Sequence, residues 1–263
     1  MKGLKELDWV LRGEAIRPAD GRLGPGIGIL SLLTANLLLA ALYGVCMGIF
    51  GLSGRPEPEF RLMIVDAVKV PLLFLLTLLV TFPSLYVFNA LVGSRLGVGD
   101  LARLMTAGLG VLIAVLAAFG PIVGFFSVTT SSYPFVVLMN VAVFTLAAAF
   151  GLSYLIRTLD HMLPRLVIAH PVSRSSIDPE TEATSAEEPV VGETERRHSS
   201  KTVTAARTVL YAWLVVFALV GAQMSWVLRP FIGSPAQEFT WFRPREASFF
   251  EAVFRSVHTL FGG

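Results

Sequence analysis

The sequence predicts an all-α, polytopic membrane protein: a bundle of five transmembrane helices with amphipathic interfacial helices at its N- and C-termini. Three observations lead to it. Of 263 residues, 54% are hydrophobic and only 15% charged, against about 25% charged in an ordinary soluble domain. Five runs reach the roughly 20 residues that a helix needs to cross a hydrocarbon core about 30 Å thick, and none of the five contains Asp, Glu, Lys or Arg. The basic residues between these runs sort unevenly onto alternate sides. So apolar a composition excludes a soluble globular enzyme and a nucleic-acid-binding domain. A net charge of +2 provides no bulk field toward an acidic partner.

Residues 1–26 form a cytoplasmic amphipathic segment. Between Lys2 and Gly13, Leu4, Leu7, Val10 and Leu11 recur at helical spacing beside Trp9. Such a helix lies on the membrane surface or packs on the bundle. Gly21, Gly24, Pro25 and Gly26 then break it. The first apolar run is too long for the core of a signal peptide, so it is expected to be retained as its own anchor.

Residues 27–168 form a four-helix transmembrane region, with spans at Ile27 to Leu52, Val70 to Val92, Leu104 to Val128 and Phe135 to Ile156. Small residues recur every four positions at Ala40, Gly44 and Gly48, at Gly110, Ala114 and Ala118, and at Gly120 and Gly124. Membrane helices approach closely through such stripes, within one chain or between chains. Residues 169–204 carry Asp178, Glu180, Glu182, Glu187, Glu188, Glu193 and Glu195 among Ser, Thr and Pro, with no aromatic residue. This segment buries too little apolar surface to offset its ordering entropy and reads as a disordered cytoplasmic linker. Its stretch Arg196-Arg197-His198-Ser199-Ser200 reads as a solvated charge run rather than a phosphorylation site.

Residues 205–229 hold the fifth helix, with its apolar run from Val209 to Leu228 and small residues Ala218 and Ala222. Residues 230–263 form an outer-face tail. Trp226, Arg229, Trp241, Arg243 and Arg245 concentrate where the fifth helix leaves the membrane, as in an interfacial belt. They are the candidate partner-binding patch. From Ser248 to Phe261, the apolar Phe250, Val253, Phe254, Val257 and Phe261 oppose Ser248, Glu251, Arg255 and His258. Ser248 and Glu251 match a capping box, and Gly262 suits a helix end. The helix is read as resting on lipid, with a protein partner as the alternative.

Orientation follows from the basic flanks. With the N-terminus inside, fourteen Lys and Arg fall on the cytoplasmic side, from Lys2 to Arg22, at Arg95 and Arg103, and from Arg157 to Arg207. Six fall outside: Arg55, Arg61, Arg229, Arg243, Arg245 and Arg255. The expected topology has a cytoplasmic N-terminus and an external C-terminus, in a bacterial inner membrane.

The polar intramembrane candidates are Asn36, Asp66, Lys69, Thr77, Thr81, Ser84, Asn89, Asn140 and Gln223. Asn140 and Gln223 share an outer depth and are expected to bond across the fourth and fifth helices, since an amide in hydrocarbon needs a partner. Thr77, Thr81 and Ser84 align with Asp66 on the second helix. They form a polar track for an ion or solute, or else hydroxyls that repair the kinks of Pro71 and Pro83 below a snorkelling Lys69 paired with Asp66. The second reading is preferred because no charge falls near the membrane centre.

Catalytic and metal motifs fail. All four histidines lie outside the spans, so Gly51-Leu52-Ser53-Gly54 lacks the histidine of an intramembrane serine protease. There is no HExxH, no intramembrane aspartate pair and no phosphate-binding glycine loop. The lone Cys46 forms no intramolecular disulfide or cysteine metal site. No cofactor, metal or catalytic residue is expected.

Three stretches carry a resemblance: Lys69 to Leu96 (KVPLLFLLTLLVTFPSLYVFNALVGSRL), Phe119 to Phe144 (FGPIVGFFSVTTSSYPFVVLMNVAVF), and GAQMSWVLRPFIGSP with FTWFRPREASFF within Gly221 to Phe250. Together they resemble a family of uncharacterised bacterial multi-pass membrane proteins, similar to the Yip-type membrane fold; the acidic linker departs from it. The resemblance implies a five-helix bundle with short outer loops, and an adaptor role only by analogy. The expected function is a non-catalytic scaffold or accessory subunit of a bacterial inner-membrane assembly. Its partners are the bilayer and a membrane protein or a second copy, with no nucleic acid. The alternative is a small-solute or ion transporter or channel subunit lined by the second helix.

Overall fold

The computed structural model describes residues 2–14, 28–53, 60–91, 98–168, 208, 211–228, 232, 241 and 249–261. The acidic linker, the Gly21 to Gly26 break, the Ser248 cap and Gly262 lie outside these residues. Among those described, the fold is helical throughout: α1 (Lys2–Leu11), α2 (Ile29–Gly48), α3 (Phe50–Ser53), α4 (Phe60–Leu91), α5 (Val98–Thr129), α6 (Tyr133–Ile168), α7 (Tyr211–Val227) and α8 (Phe249–Phe261). Four stretches are long and apolar enough to cross a membrane: Ile29–Leu52, Phe60–Val87, Val98–Thr129 and Tyr133–Thr158. A multi-pass membrane protein follows from them, because a helix satisfies its own backbone where water is absent.

The second span departs from the charge-free run. α4 begins at Phe60 rather than Val70 and carries Arg61, Asp66 and Lys69 inside the helix. The helix is set by backbone hydrogen bonding, which continues through a charged residue whenever its side chain has somewhere to go. Likewise α6 continues past Ile156 to Ile168.

α2 is the hub, packing on α4 and on α5, while α5 also packs on α6. Small residues make these approaches possible, and they act within the chain. A Cβ on Gly44 would lie 2.3 Å from the Asp66 carbonyl oxygen, and one on Gly48 would lie 2.6 Å from Met63 Cα. A Cβ on Gly108 would lie 2.5 Å from Leu155, and one on Gly151 would lie 2.8 Å from Leu112 Cβ. Gly120 and Gly124 face Cys46 of α2. α7 differs from expectation: Gly221 meets Thr77, whereas Ala218 is exposed.

These contacts fix direction. Gly48 opposite Met63 and Gly44 opposite Asp66 make α2 and α4 antiparallel. Trp213 beside Ser84 and Gly221 beside Thr77 make α7 antiparallel to α4. The bundle thus has one end near α1 and the start of α2, and an opposite end near Asp66 and the finish of α7.

Each end has its own apolar cluster. At the first, α1 packs on α2 and α5, inserting Leu7 and Val10 among Leu32, Leu85, Leu101 and Leu104. Gly3, Glu6, Leu7 and Val10 form its buried stripe, while Leu4, Trp9 and Leu11 stay exposed. Of the two placements expected for this segment, packing on the bundle is the one observed. Arg12 donates to Asp8 at 3.0 Å, and this bond holds the Arg12 guanidinium above its ordinary pKa. The pair is exposed and so contributes little. Toward the other end, Tyr43, Met47, Val70, Phe74, Leu116, Val123 and Val143 cluster, and Phe144 meets Phe74 stacked at 6.2 Å and Tyr43 edge-on at 5.5 Å.

The close α2–α4 crossing leads to a measurable expectation. Gly44→Ala lowers stability by about 1–3 kcal/mol through overpacking against backbone, read as a lower thermal midpoint in detergent. Gly99→Ala, where a Cβ meets nothing within 4 Å, leaves the midpoint unchanged or slightly higher.

Candidate functional site

Half of the buried polar residues among those described, Asn36, Asp66, Lys69, Thr77 and Thr81, lie on α2 and α4. At the α1 end, Asn36 Nδ2 donates to the Thr106 carbonyl oxygen at 3.0 Å, tying α2 to α5. Its Oδ1 finds no donor among the described residues. Glu6 is buried as well, and neither carboxylate oxygen has a hydrogen-bond partner there. Its Oε1 lies 3.7 Å from where a Gly28 Cβ would sit, beside the first turn of α2. Free amides there carry partial positive charge and favour an anion.

In the last third of α2, the Tyr43 hydroxyl donates to Asn140 Oδ1 at 2.8 Å, and Asn140 Nδ2 donates to the Val136 carbonyl at 2.9 Å. Asn140 therefore pairs with α2, not with Gln223, which is exposed on α7. Depth alone suggested the pairing with Gln223, but helix rotation decides which residues at one depth meet. The side chain of Asn89, on the last turn of α4, lies outside the described set.

The hydroxyl track on α4 is closed. Thr77 donates to the Leu73 carbonyl at 2.8 Å, Thr81 to the Thr77 carbonyl at 2.6 Å and Ser84 to the Thr81 carbonyl at 2.7 Å. These are not the carbonyls of Ala67 and Leu79, which Pro71 and Pro83 deprive of a donor. The proposed repair of the proline kinks is thus not what the hydroxyls do, since each reaches back only three or four residues. α7 covers the track instead. Trp213 Nε1 donates to the Thr81 carbonyl at 3.2 Å and to Ser84 Oγ at 3.1 Å, and Gly221 rests on Thr77.

At the opposite end, Lys69 does not snorkel. It is 3% exposed and Asp66 is fully buried. Asp66 lies six residues into α4, roughly 9 Å along its axis. Its Oδ2 lies 3.3 Å from where a Gly48 Cβ would sit, and neither carboxylate oxygen has a hydrogen-bond partner among the described residues. Lys69 Nζ donates to the Trp241 carbonyl of the tail at 2.5 Å. Ile232 of the same tail packs on the neighbouring apolar cluster. A carbonyl acceptor on Trp241 replaces the expected path to solvent.

Of the candidate partner patch, Trp241 is 60% exposed and Trp226 meets Phe249 edge-on at 6.5 Å. Arg229, Arg243 and Arg245 lie outside the described residues. Sequence reasoning missed Glu6, Tyr43, Thr106 and Trp213. Glu6 falls in the Gly3, Glu6, Leu7, Val10 stripe at helical spacing, which is the signal that marks it as inward-facing. The other three look like ordinary membrane-helix residues until their partners are known. Among the described residues no group of three or more His, Cys, Asp or Glu side chains is placed to hold a metal.

Comparison with protein-family profiles, with curated proteins and with solved structures returns no match.

The Tyr43–Asn140 contact predicts a coupling. A double-mutant cycle with Tyr43→Phe and Asn140→Ala gives an interaction energy of about 0.6–2 kcal/mol, the range for hydrogen bonds between membrane helices. Reversible unfolding in mixed micelles measures it.

Proposed function

We propose that this chain is a five-span protein of a bacterial inner membrane, cytoplasmic at its N-terminus and external at its C-terminus, serving as a non-catalytic scaffold or accessory subunit. α7 is the fifth crossing. It has 17 described residues, about 26 Å of helix, and runs from the α1 end of the bundle to the opposite one. That direction supports an odd number of crossings, with the two termini on opposite sides.

The observation that carries the scaffold reading is the apolar and aromatic surface at the tail end. α8 packs on α6, and its Phe249, Ala252, Val253 and Ser256 are half-buried. Phe250 at 56% and Phe254 at 73% exposure, with Val257, are left facing outward. The expected face that joined Val253 to Phe250 and Phe254 is therefore divided between the bundle and the exterior. An apolar strip beside Glu251, Arg255 and His258 suits an interfacial helix with its strip in lipid, and Trp241 offers a membrane partner an aromatic anchor. α1, with Leu4, Trp9 and Leu11 outward, is the matching element on the cytoplasmic side. The adaptor role implied by the resemblance to Yip-type proteins is of the same class.

Transport is the second reading, favoured by one observation: a buried carboxylate, Asp66, inside a spanning helix. Solute flux in liposomes that disappears on joint substitution of Thr77 and Thr81 supports it. Closure of that track by Trp213 and Gly221 favours the scaffold.

Two outcomes are expected. A reporter fused after Gly263 is active only outside the cytoplasm. Trp241→Ala lowers recovery of co-purifying membrane partners several-fold, in line with loss of an aromatic anchor, without lowering membrane insertion; unchanged recovery overturns the scaffold assignment of this patch.

A further inference from the structure

Asp66 sits where an ionised carboxylate is least welcome. It is fully buried within a spanning helix, and neither of its oxygens has a hydrogen-bond partner among the described residues. Across from it stand Gly44 and Gly48, in the last two turns of α2. The unsatisfied carbonyls of a helix C-terminus give that end partial negative charge, which repels an anion. Lys69, one turn further along α4, attracts a carboxylate through space but supplies no N–H to either oxygen. It has interactions of its own, the Trp241 carbonyl among them. Whatever those are, a carboxylate deprived of water and of donors is costly.

A positive charge therefore belongs on Asp66, and the packing decides which. A divalent metal cation gathers about six or more oxygen ligands. Here the α2 backbone closes over the carboxylate: a Cβ on Gly48 would lie 3.3 Å from Asp66 Oδ2. Among the described residues no group of three His, Cys, Asp or Glu surrounds a metal. A proton needs no such shell.

We propose that Asp66 is a proton-binding site at the α2–α4 crossing, occupied at neutral pH and filled from the side of the membrane on which α4 begins. The proton adds to one carboxylate oxygen, and no other bond changes. The neutral acid tolerates contact with the end of α2. When the proton leaves, the anion requires water or a donor, and Gly44 and Gly48 no longer stay at backbone distance from α4. Proton binding thus tightens this crossing.

The surroundings hold no rival group. On α2 the Tyr43 hydroxyl is held by Asn140, and Cys46 is turned to Gly120 of α5. α3 carries no titratable residue. The charges of α5, Asp100 and Arg103, lie in its first two turns beside Leu101 and Leu104, at the α1 end. On α7 the titratable Tyr211 precedes Trp213, which meets Ser84 far along α4. On α4 itself Arg61 is exposed. The inference goes beyond the scaffold reading and does not rest on it, because the buried carboxyl needs its proton whether or not a partner binds.

The test is infrared spectroscopy of the full chain in liposomes, with carboxyls isotope-labelled in aspartate only, so that Glu6 absorbs elsewhere. The expected result is a protonated aspartic acid C=O band that persists at neutral pH. It disappears at alkaline pH, with the protonated-to-ionised ratio changing about tenfold per pH unit, as for one proton. Asp66→Asn removes the band, and Asp66→Glu moves it to the unlabelled position. In detergent the thermal midpoint falls as pH rises through the same titration, because the folded chain then holds a proton that the unfolded chain has released. Absence of the band at neutral pH, or its survival unshifted in both variants, overturns the proposal. So does its loss on adding sodium chloride at constant pH, which makes a metal cation the occupant.

Discussion

Hydrocarbon supplies no hydrogen bonds, and this one property of the solvent organises the molecule. Each polar group carried into it is held by a neighbour, by its own helix or by a charge nearby, or else marks a place where something further happens. α2 shows the constraint most directly. One face carries Asn36 and Tyr43, whose partners come from α5 and α6, and the adjoining face carries Gly44 and Gly48, which let α4 approach to backbone contact. Hydrogen bonding and close packing therefore depend on one rotation of one helix. A turn of that helix that broke the Gly44 contact would also strand the Asn36 and Tyr43 groups.

The small-residue stripes and the polar groups are linked energetically. Apolar side chains gain little by leaving lipid for one another, so a membrane bundle relies on dispersion contacts and on interhelical hydrogen bonds. Glycine supplies the first by removing the atom that would keep two backbones apart. The bonds add geometric selectivity: Asn140 reaches Tyr43 from α6, where Phe144 also packs on Phe74 and Tyr43. At the other end α1 fills the corresponding space with Leu7 and Val10.

The two buried carboxylates among the described residues stand apart from this pattern. Glu6 lies beside the positive end of the α2 dipole, which offsets part of its desolvation. Asp66 lies near the opposite end of α2, where the dipole is unfavourable to an anion, and its counter-charge is occupied by the tail. The same residue type thus meets opposite fields at opposite ends of one helix.

Much of this was legible in the residues. Long apolar runs, their lengths and the helical spacing of α1 and α8 follow from the energy of placing side chains in lipid or water, which each residue brings with it. Hence the helical class and four spanning helices could be read directly. Rotation about each helix axis could not, because hydropathy is nearly uniform around a membrane helix and leaves no polar face to orient it. That is why Asn140 was assigned to Gln223 rather than Tyr43, why a snorkelling Lys69 was paired with Asp66 rather than with the Trp241 carbonyl, and why the α4 hydroxyls were assigned to prolines they do not reach. Composition settled the solvent and the element type; only the packed bundle decided which polar atoms meet, because those meetings depend on angles between helices that no single helix encodes.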